Sequence, residues 1–211
     1  MMNKRVKAGI KKFHTKNPRI KFCLGTLALV AICVMMLIIA TFTQIKINGS
    51  VIGLDNYLKF EYIPQIPVVL FIATLLGECW GLLAILLYIG FGLTGIYPVF
   101  ALGGGFSYIF QYNFGYIFAF IFAVLLVAKE FKRGNSLLNL ILAVIYGVCI
   151  IHLIGIFYAV VIALIKHESF DYITNLVYYQ SISKILYDFV FGFLAVLTAK
   201  GCQRLLWIIM G

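Results

Sequence analysis

Charge is scarce in this chain. Of its 211 residues only 11% are Asp, Glu, Lys or Arg, against about 25% in an ordinary soluble domain. That leaves too little polar surface to cover a folded body in water. No CxxC pair occurs, and the five cysteines (Cys23, Cys33, Cys79, Cys149, Cys202) are dispersed, which excludes a disulfide framework and a zinc site. No GxxxxGK[ST] is present, so the chain has no Walker-type site with which to drive pumping itself. HExxH, GxSxG and a carboxylate dyad in a recognisable setting are also missing, which gives an intramembrane hydrolase little support. No metal or cofactor is implied.

What the chain has instead is apolar length. Hydrophobic residues make up 64% and the mean hydropathy is +1.06. Several apolar runs reach the roughly 20 residues needed to cross a hydrocarbon core. The net charge of +10 is concentrated: residues 1–21 hold eight of the seventeen Lys/Arg and none of the seven acids. A basic segment directly before an apolar run reads as a cytoplasmic anchor to anionic lipid. No stacking aromatics or folded module accompany it, so nucleic acid is not an implied partner. The first run is too long for a signal-peptide core and is followed by no small-x-small cleavage pattern.

Six spans are expected: about 22–43, 63–76, 82–101, 114–128, 137–165 and 176–199. Residues 44–62 read as a polar segment with turn formers Asn48, Gly49, Gly53, Asp55 and Asn56. Pro64 and Pro67 sit where a helix start tolerates them, and 77–81 reads as a tight turn. Gly90, Gly92, Gly95 and Pro98 predict that the third span breaks early. With a cytoplasmic N-terminus, thirteen Lys/Arg fall in inner segments and three in outer ones, as the positive-inside rule requires. The expectation is an all-α integral membrane protein of six transmembrane helices with both termini cytoplasmic. A basic segment, 1–21, precedes a single transmembrane domain, 22–211.

Gly90-Phe-Gly92-Leu-Thr-Gly95 spells GxGxxG, but a dinucleotide site needs a strand before it and a helix after it; inside an apolar run these glycines serve close backbone approach. Residues 88–120 carry seven glycines, one proline and five tyrosines and no charge at all. Irregular backbone at membrane depth is tolerated where it is buried in protein or lines a cavity. Polar-tipped aromatics on such a backbone suit a mostly apolar ligand with a few hydrogen-bonding groups; an ordinary outer loop with interfacial tyrosines fits the composition equally. In the last span Ser181, Lys184 and Asp188 share one helix face. Lys184 and Asp188 are spaced to neutralise each other, and an ionisable residue within a span is a functional candidate by default. His152, midway along the fifth span, is placed to reach Asp188 and reads as a hydrogen-bonded core histidine.

Pro64-x-x-Pro67-Val, Leu75-Leu76-Gly77, Leu87-Tyr88-Ile-Gly-Phe-Gly-Leu-Thr-Gly95-Ile-Tyr-Pro98-Val-Phe100-Ala, Gly103-Gly-Gly105 and Gly115-Tyr116 together resemble the BioY family, the biotin-binding S components of energy-coupling factor (ECF) vitamin transporters. The resemblance is strongest over 62–122, weaker from 135 onward, and leaves out the first 21 residues. The chain departs from the family at three places. Gln111-Tyr112-Asn113-Phe114-Gly115-Tyr116 stands where Gly-Pro-Thr-Gly-Gly-Tyr is usual. Glu78 stands where a basic residue is usual, and in the Pro-Gly-Asp-x-x-Lys pattern Asp188 matches the Asp while Phe191 replaces the Lys.

The resemblance implies a subunit in the plasma membrane of a prokaryote that captures biotin, or a close analogue, from outside. Release inside would depend on a separate transmembrane scaffold and two ATP-binding cassette ATPases. It points to a site formed by Phe100, Gly103, Gly104, Gly105, Tyr108, Asn113, Tyr116, Lys184 and Asp188, with tyrosines on the bicyclic ring and Asp188 accepting ureido N–H bonds. It also points to a scaffold-docking stripe of small residues on the first span, here Gly25, Ala28 and Ala31. Two other classes remain: a self-contained carrier moving protons through Asp188 and His152, and a membrane enzyme built on Asp188, His152 and Glu130.

Overall fold

The computed structural model describes residues 24–48, 59–101, 103–134 and 136–210; the basic segment 1–21 and the turn formers Gly49, Gly53, Asp55 and Asn56 lie outside them. Helix α1 is Leu24–Phe42. Its buried face carries Val30, Cys33, Val34, Leu37 and Thr41, a helical repeat that packs on the next helix. Gly25, Ala28 and Ala31 lie on the opposite, exposed face with Ile32, Met35 and Ile39.

The polar segment holds more than turns. Strands β1 (Ile45–Asn48) and β2 (Lys59–Tyr62) pair antiparallel, so the all-α expectation is corrected by one short hairpin. Its cause is in the sequence: Ile-Lys-Ile-Asn and Lys-Phe-Glu-Tyr both alternate with period two. The register sets Ile47 opposite Phe60 and Lys46 opposite Glu61.

Helix α2, Gln65–Thr94, is helical in secondary structure on both sides of Gly77, whose φ of 74° and ψ of −164° break it. The chain reverses there. A side chain begun at Gly81 would touch the Ala73 Cα at 3.6 Å, and Gln65 Nε2 donates to Tyr88 Oη at 3.2 Å; a straight helix would hold residues 65 and 88 about 35 Å apart. A left-handed φ favours glycine, so the turn expected at 77–81 is fixed by its first residue. The second arm stops at Gly95, in a left-handed conformation (φ 71°), short of the expected outer end at 101. A 3₁₀ turn, Phe106–Phe110, interrupts the loop that follows.

Helix α3 is Phe114–Arg133 and α4 is Leu137–Ile165, the latter capped by Ser136 Oγ accepting from Asn139 N–H. The last rod begins earlier than the sequence suggested. Ser169 caps α5, Phe170–Val177, converting part of the expected loop 166–175 into helix. A π-helical turn, Tyr178–Ile182, then joins it to α6, Ile185–Met210. Among the described residues five helices are long and apolar enough to cross a membrane, α2 counted as one and 170–205 as another.

Side-chain bonds sort the turns into two ends. One end gathers Thr41, Gln65 and Tyr88, together with the loop 95–113, whose Ile109 carbonyl accepts from Tyr158 Oη and whose Tyr112 donates to Glu168. The other gathers Glu78 with Lys132, Glu130 with Arg133, and Gln203 with the Thr74 and Leu75 carbonyls. Between them the core packs Val69, Leu70, Ile72, Val124, Val127 and Val148.

Candidate ligand-binding site

A cavity opens in the half of the bundle that holds the loop 95–113. Its walls come from the end of β2 and the start of α2 (Tyr62, Ile63, Gln65, Ile66), from Ala101 and Tyr108, from α3 and its N-cap residue (Asn113, Tyr116, Ile117, Phe120) and from the last rod (Gln180, Lys184, Asp188). The α3 residues follow a 3–4 spacing, one face over two turns. Gln180, Lys184 and Asp188 are four apart. Tyr116 Oη and Ser181 Oγ, 2.6 Å apart, tie the two elements level with each other. Asn113 and Gln180 therefore stand at the mouth, Phe120 and Asp188 at the floor.

The floor is a buried hydrogen-bonded chain. Tyr62 Oη donates to Asp188 Oδ1 at 2.8 Å, and His152 Nε2 lies 3.1 Å from Asp188 Oδ2. His152 Nδ1 lies 3.0 Å from Ser181 Oγ. Tyr62, His152, Ser181 and Asp188 are all at most 3% exposed. An ionised carboxylate only accepts, so both its partners must donate to it. With the imidazole neutral, His152 donates through Nε2 and accepts at Nδ1 from Ser181, whose oxygen is then left to accept from Tyr116. Each Asp188 oxygen still has a lone pair for a ligand N–H. Tyr62 is held from behind by Phe191, ring centroids 5.4 Å apart; the residue that replaces the family's Lys thus supports a wall instead of supplying a charge.

Of the nine residues expected from the sequence, five line the cavity: Tyr108, Asn113, Tyr116, Lys184 and Asp188. Phe100, Gly103, Gly104 and Gly105 do not, and their placement shows why. Phe100 is fully buried over Gly92, edge-on to Tyr88 and 4.6 Å from the Tyr108 ring. Phe100 and Gly103 exchange backbone bonds, and Gly105 N–H donates to the Gly92 carbonyl at 2.8 Å. A Cβ on Gly104 would lie 2.9 Å from the Gly92 oxygen and 3.1 Å from that of Tyr97. The close approach there is of loop to helix, and these residues act by seating Tyr108.

Sequence reasoning missed Tyr62, Gln65 and Gln180. The alternation of Lys-Phe-Glu-Tyr was the available signal for Tyr62. Gln65 also donates to Thr41 Oγ1 at 2.6 Å, and no local pattern marks it. Gln180 lies four residues before Lys184, a spacing that puts the two on one face and was the available signal for it. His152 reaches Asp188 as the spacing suggested. Glu130 is ten residues beyond Phe120 on α3, about 15 Å further along the helix, and bonds to Arg133 at 2.6 Å. It shares no site with Asp188 and His152.

A model of the BioY family matches residues 9–207. The match begins inside the basic segment, earlier than the resemblance in the sequence extends. A solved structure described as the S-component for biotin from an ECF-type ABC transporter superposes with a TM-score of 0.64, covering 97% of this chain and 95% of that one at 18% identity. No curated protein matches the chain.

Proposed function

The chain belongs to the BioY family, and from that premise we propose that it is the substrate-capture subunit of an ECF-type transporter, taking biotin or a close analogue into the cavity between α2, α3 and the last rod. The observation that carries this reading is the cavity's polarity. Its floor presents a buried carboxylate beside Phe120 to donors such as ureido N–H groups, its walls are Ile66, Ile117 and tyrosine rings, and Lys184 stands partway up. An apolar body with a polar head on the floor and an acidic chain leading past Lys184 toward the mouth fits that order. A proton-coupled carrier fits less well: among the described residues the chain through Asp188 and His152 starts and ends on two cavity-lining tyrosines, Tyr62 and Tyr116, and stays in the outer half.

Counting the two arms of α2 separately gives six crossings, with the loop 95–113 outside and the Glu78–Lys132 end in the cytoplasm of a prokaryotic cell. The thirteen-to-three split of Lys/Arg supports that orientation. In a background lacking native cysteines, cysteines introduced at Ser107 and Ser169 are expected to react with an impermeant maleimide on intact cells, and one at Ser136 only after permeabilisation. The reverse pattern would invert the topology.

Energy would come from a separate scaffold with two ATPase subunits, and residues 1–21 would rest on anionic lipid. The exposed stripe Gly25, Ala28, Ala31 on α1 offers close approach to such a scaffold. Ala28→Trp is expected to abolish uptake into cells that contain the whole transporter while detergent-purified protein binds biotin as wild type does. Equal loss of both would remove the stripe from docking, and wild-type protein that fails to bind biotin would remove the proposed ligand.

A further inference from the structure

The floor of the cavity is fully bonded, but its mouth is not. Gln180 Oε1 is buried and has no hydrogen-bond partner, and Gln180 is one of the residues that line the cavity. Leaving such an atom unpaired costs free energy that a partner would recover, so a buried orphan in a binding cavity marks a place for a ligand atom. The backbone is arranged to put it there. Ser183 N–H donates to the Tyr178 carbonyl at 3.0 Å, five residues back. This is the π-helical bond, which is rare and recurs at functional sites. The widened turn lets two successive residues serve the interior: Ser181 bonds to Tyr116 and His152, while Gln180 faces the cavity.

Distance along the rod then assigns the contact. Gln180 lies eight residues from Asp188, at most about 12 Å at the α-helical 1.5 Å per residue, because the π turn between them rises less. That is still about two turns away, too far for both to touch one small head group. That separation suits the length of a molecule with a polar ring at one end and a four-methylene acid chain. Resting on the reading of the cavity as a biotin site, we propose that Gln180 is the specificity-determining residue for the free end of the ligand's chain: the ring head sits on Asp188, the chain rises past Lys184, and its terminal group bonds to the Gln180 amide. A side-chain amide offers a carbonyl acceptor and an NH₂ donor. A terminal amide satisfies the carbonyl as it stands, and a carboxylate takes the NH₂ after the side-chain amide turns over.

The test is a comparison of three ligands on purified wild-type and Gln180→Leu protein by titration calorimetry: biotin, an analogue whose chain ends in a methyl group, and desthiobiotin, which is altered only in the ring. Gln180→Leu is expected to weaken biotin and desthiobiotin by about tenfold, the worth of one hydrogen bond of this kind, and to leave the methyl-ended analogue unchanged. Its unliganded thermal midpoint is expected to equal or exceed that of wild type, because an unpaired buried amide has been removed. Gln180→Met gives the same comparison should the leucine variant fold poorly. Equal weakening of all three ligands, or biotin affinity unchanged, overturns the assignment alone. Wild type that binds none of them overturns the biotin reading together with it.

Discussion

Asp188→Asn is expected to weaken biotin binding by about 10- to 150-fold, since a hydrogen bond to a charged group contributes about 1.5–3 kcal/mol and each 1.4 kcal/mol is about a factor of ten. The geometry explains why so small a change matters. Both Asp188 oxygens accept, one from Tyr62 and one near His152 Nε2. An amide at this position keeps its oxygen toward one of these partners and turns its NH₂ toward the other, which is itself donating. His152 can answer by moving its proton to Nδ1, but that sets it against Ser181 and disturbs the bond to Tyr116. The loss therefore combines a missing charge with a reordered wall. Calorimetry on the folded variant measures it, with a thermal melt of the unliganded protein as control. Asp188→Asn protein that stays folded and binds with wild-type affinity would exclude Asp188 as the head-group acceptor.

Gly155→Val is expected to cost about 1–3 kcal/mol of stability, the usual effect of forcing extra carbons into a packed interior, and to abolish measurable binding. Gly155 is the socket for Tyr116: a Cβ there would overlap the ring, which also stands edge-on to His152 at 6.1 Å. The ring can yield only toward the cavity or by leaving Ser181. Tyr116→Ala in the same chain is expected to restore much of the thermal midpoint, because the overlap is removed, without restoring binding, because the wall is gone. If the two substitutions lower the midpoint additively, the socket is not what limits Gly155.

Much of this was legible in the sequence where one physical signal dominated. Apolar length located α1, α3 and α4, and α4 begins and ends at the expected residues, 137 and 165. Gly77 and Gly95 marked a reversal and a stop because a left-handed backbone favours glycine. Of the Ser181–Lys184–Asp188 face, Lys184 and Asp188 line the cavity, while Ser181 bonds to Tyr116 and His152. What was not legible depended on contacts between distant segments. The glycines 103–105 looked like a cradle for a ligand, yet the surface they approach is the end of α2, and only the fold says which. Gln180 lay just outside the expected polar face of the last span, and its orphaned oxygen shows only once the fold is known. Tyr62 belongs to a hairpin whose strands are four residues each, too short to stand out beside runs of twenty.

The first arm of α2 has a consequence for ligand size. From 65 to 76 it is twelve residues, about 18 Å, in a membrane whose hydrocarbon core is about 30 Å thick. The arm therefore stops short of one face, and the residues at and just before its start, Tyr62, Ile63, Gln65 and Ile66, form one side of the cavity left there. The cavity is thus a piece of helix left out of the bundle. One added turn would raise the floor by about 5.4 Å, so across relatives the length of this arm should act as the gauge of how long a guest can be housed.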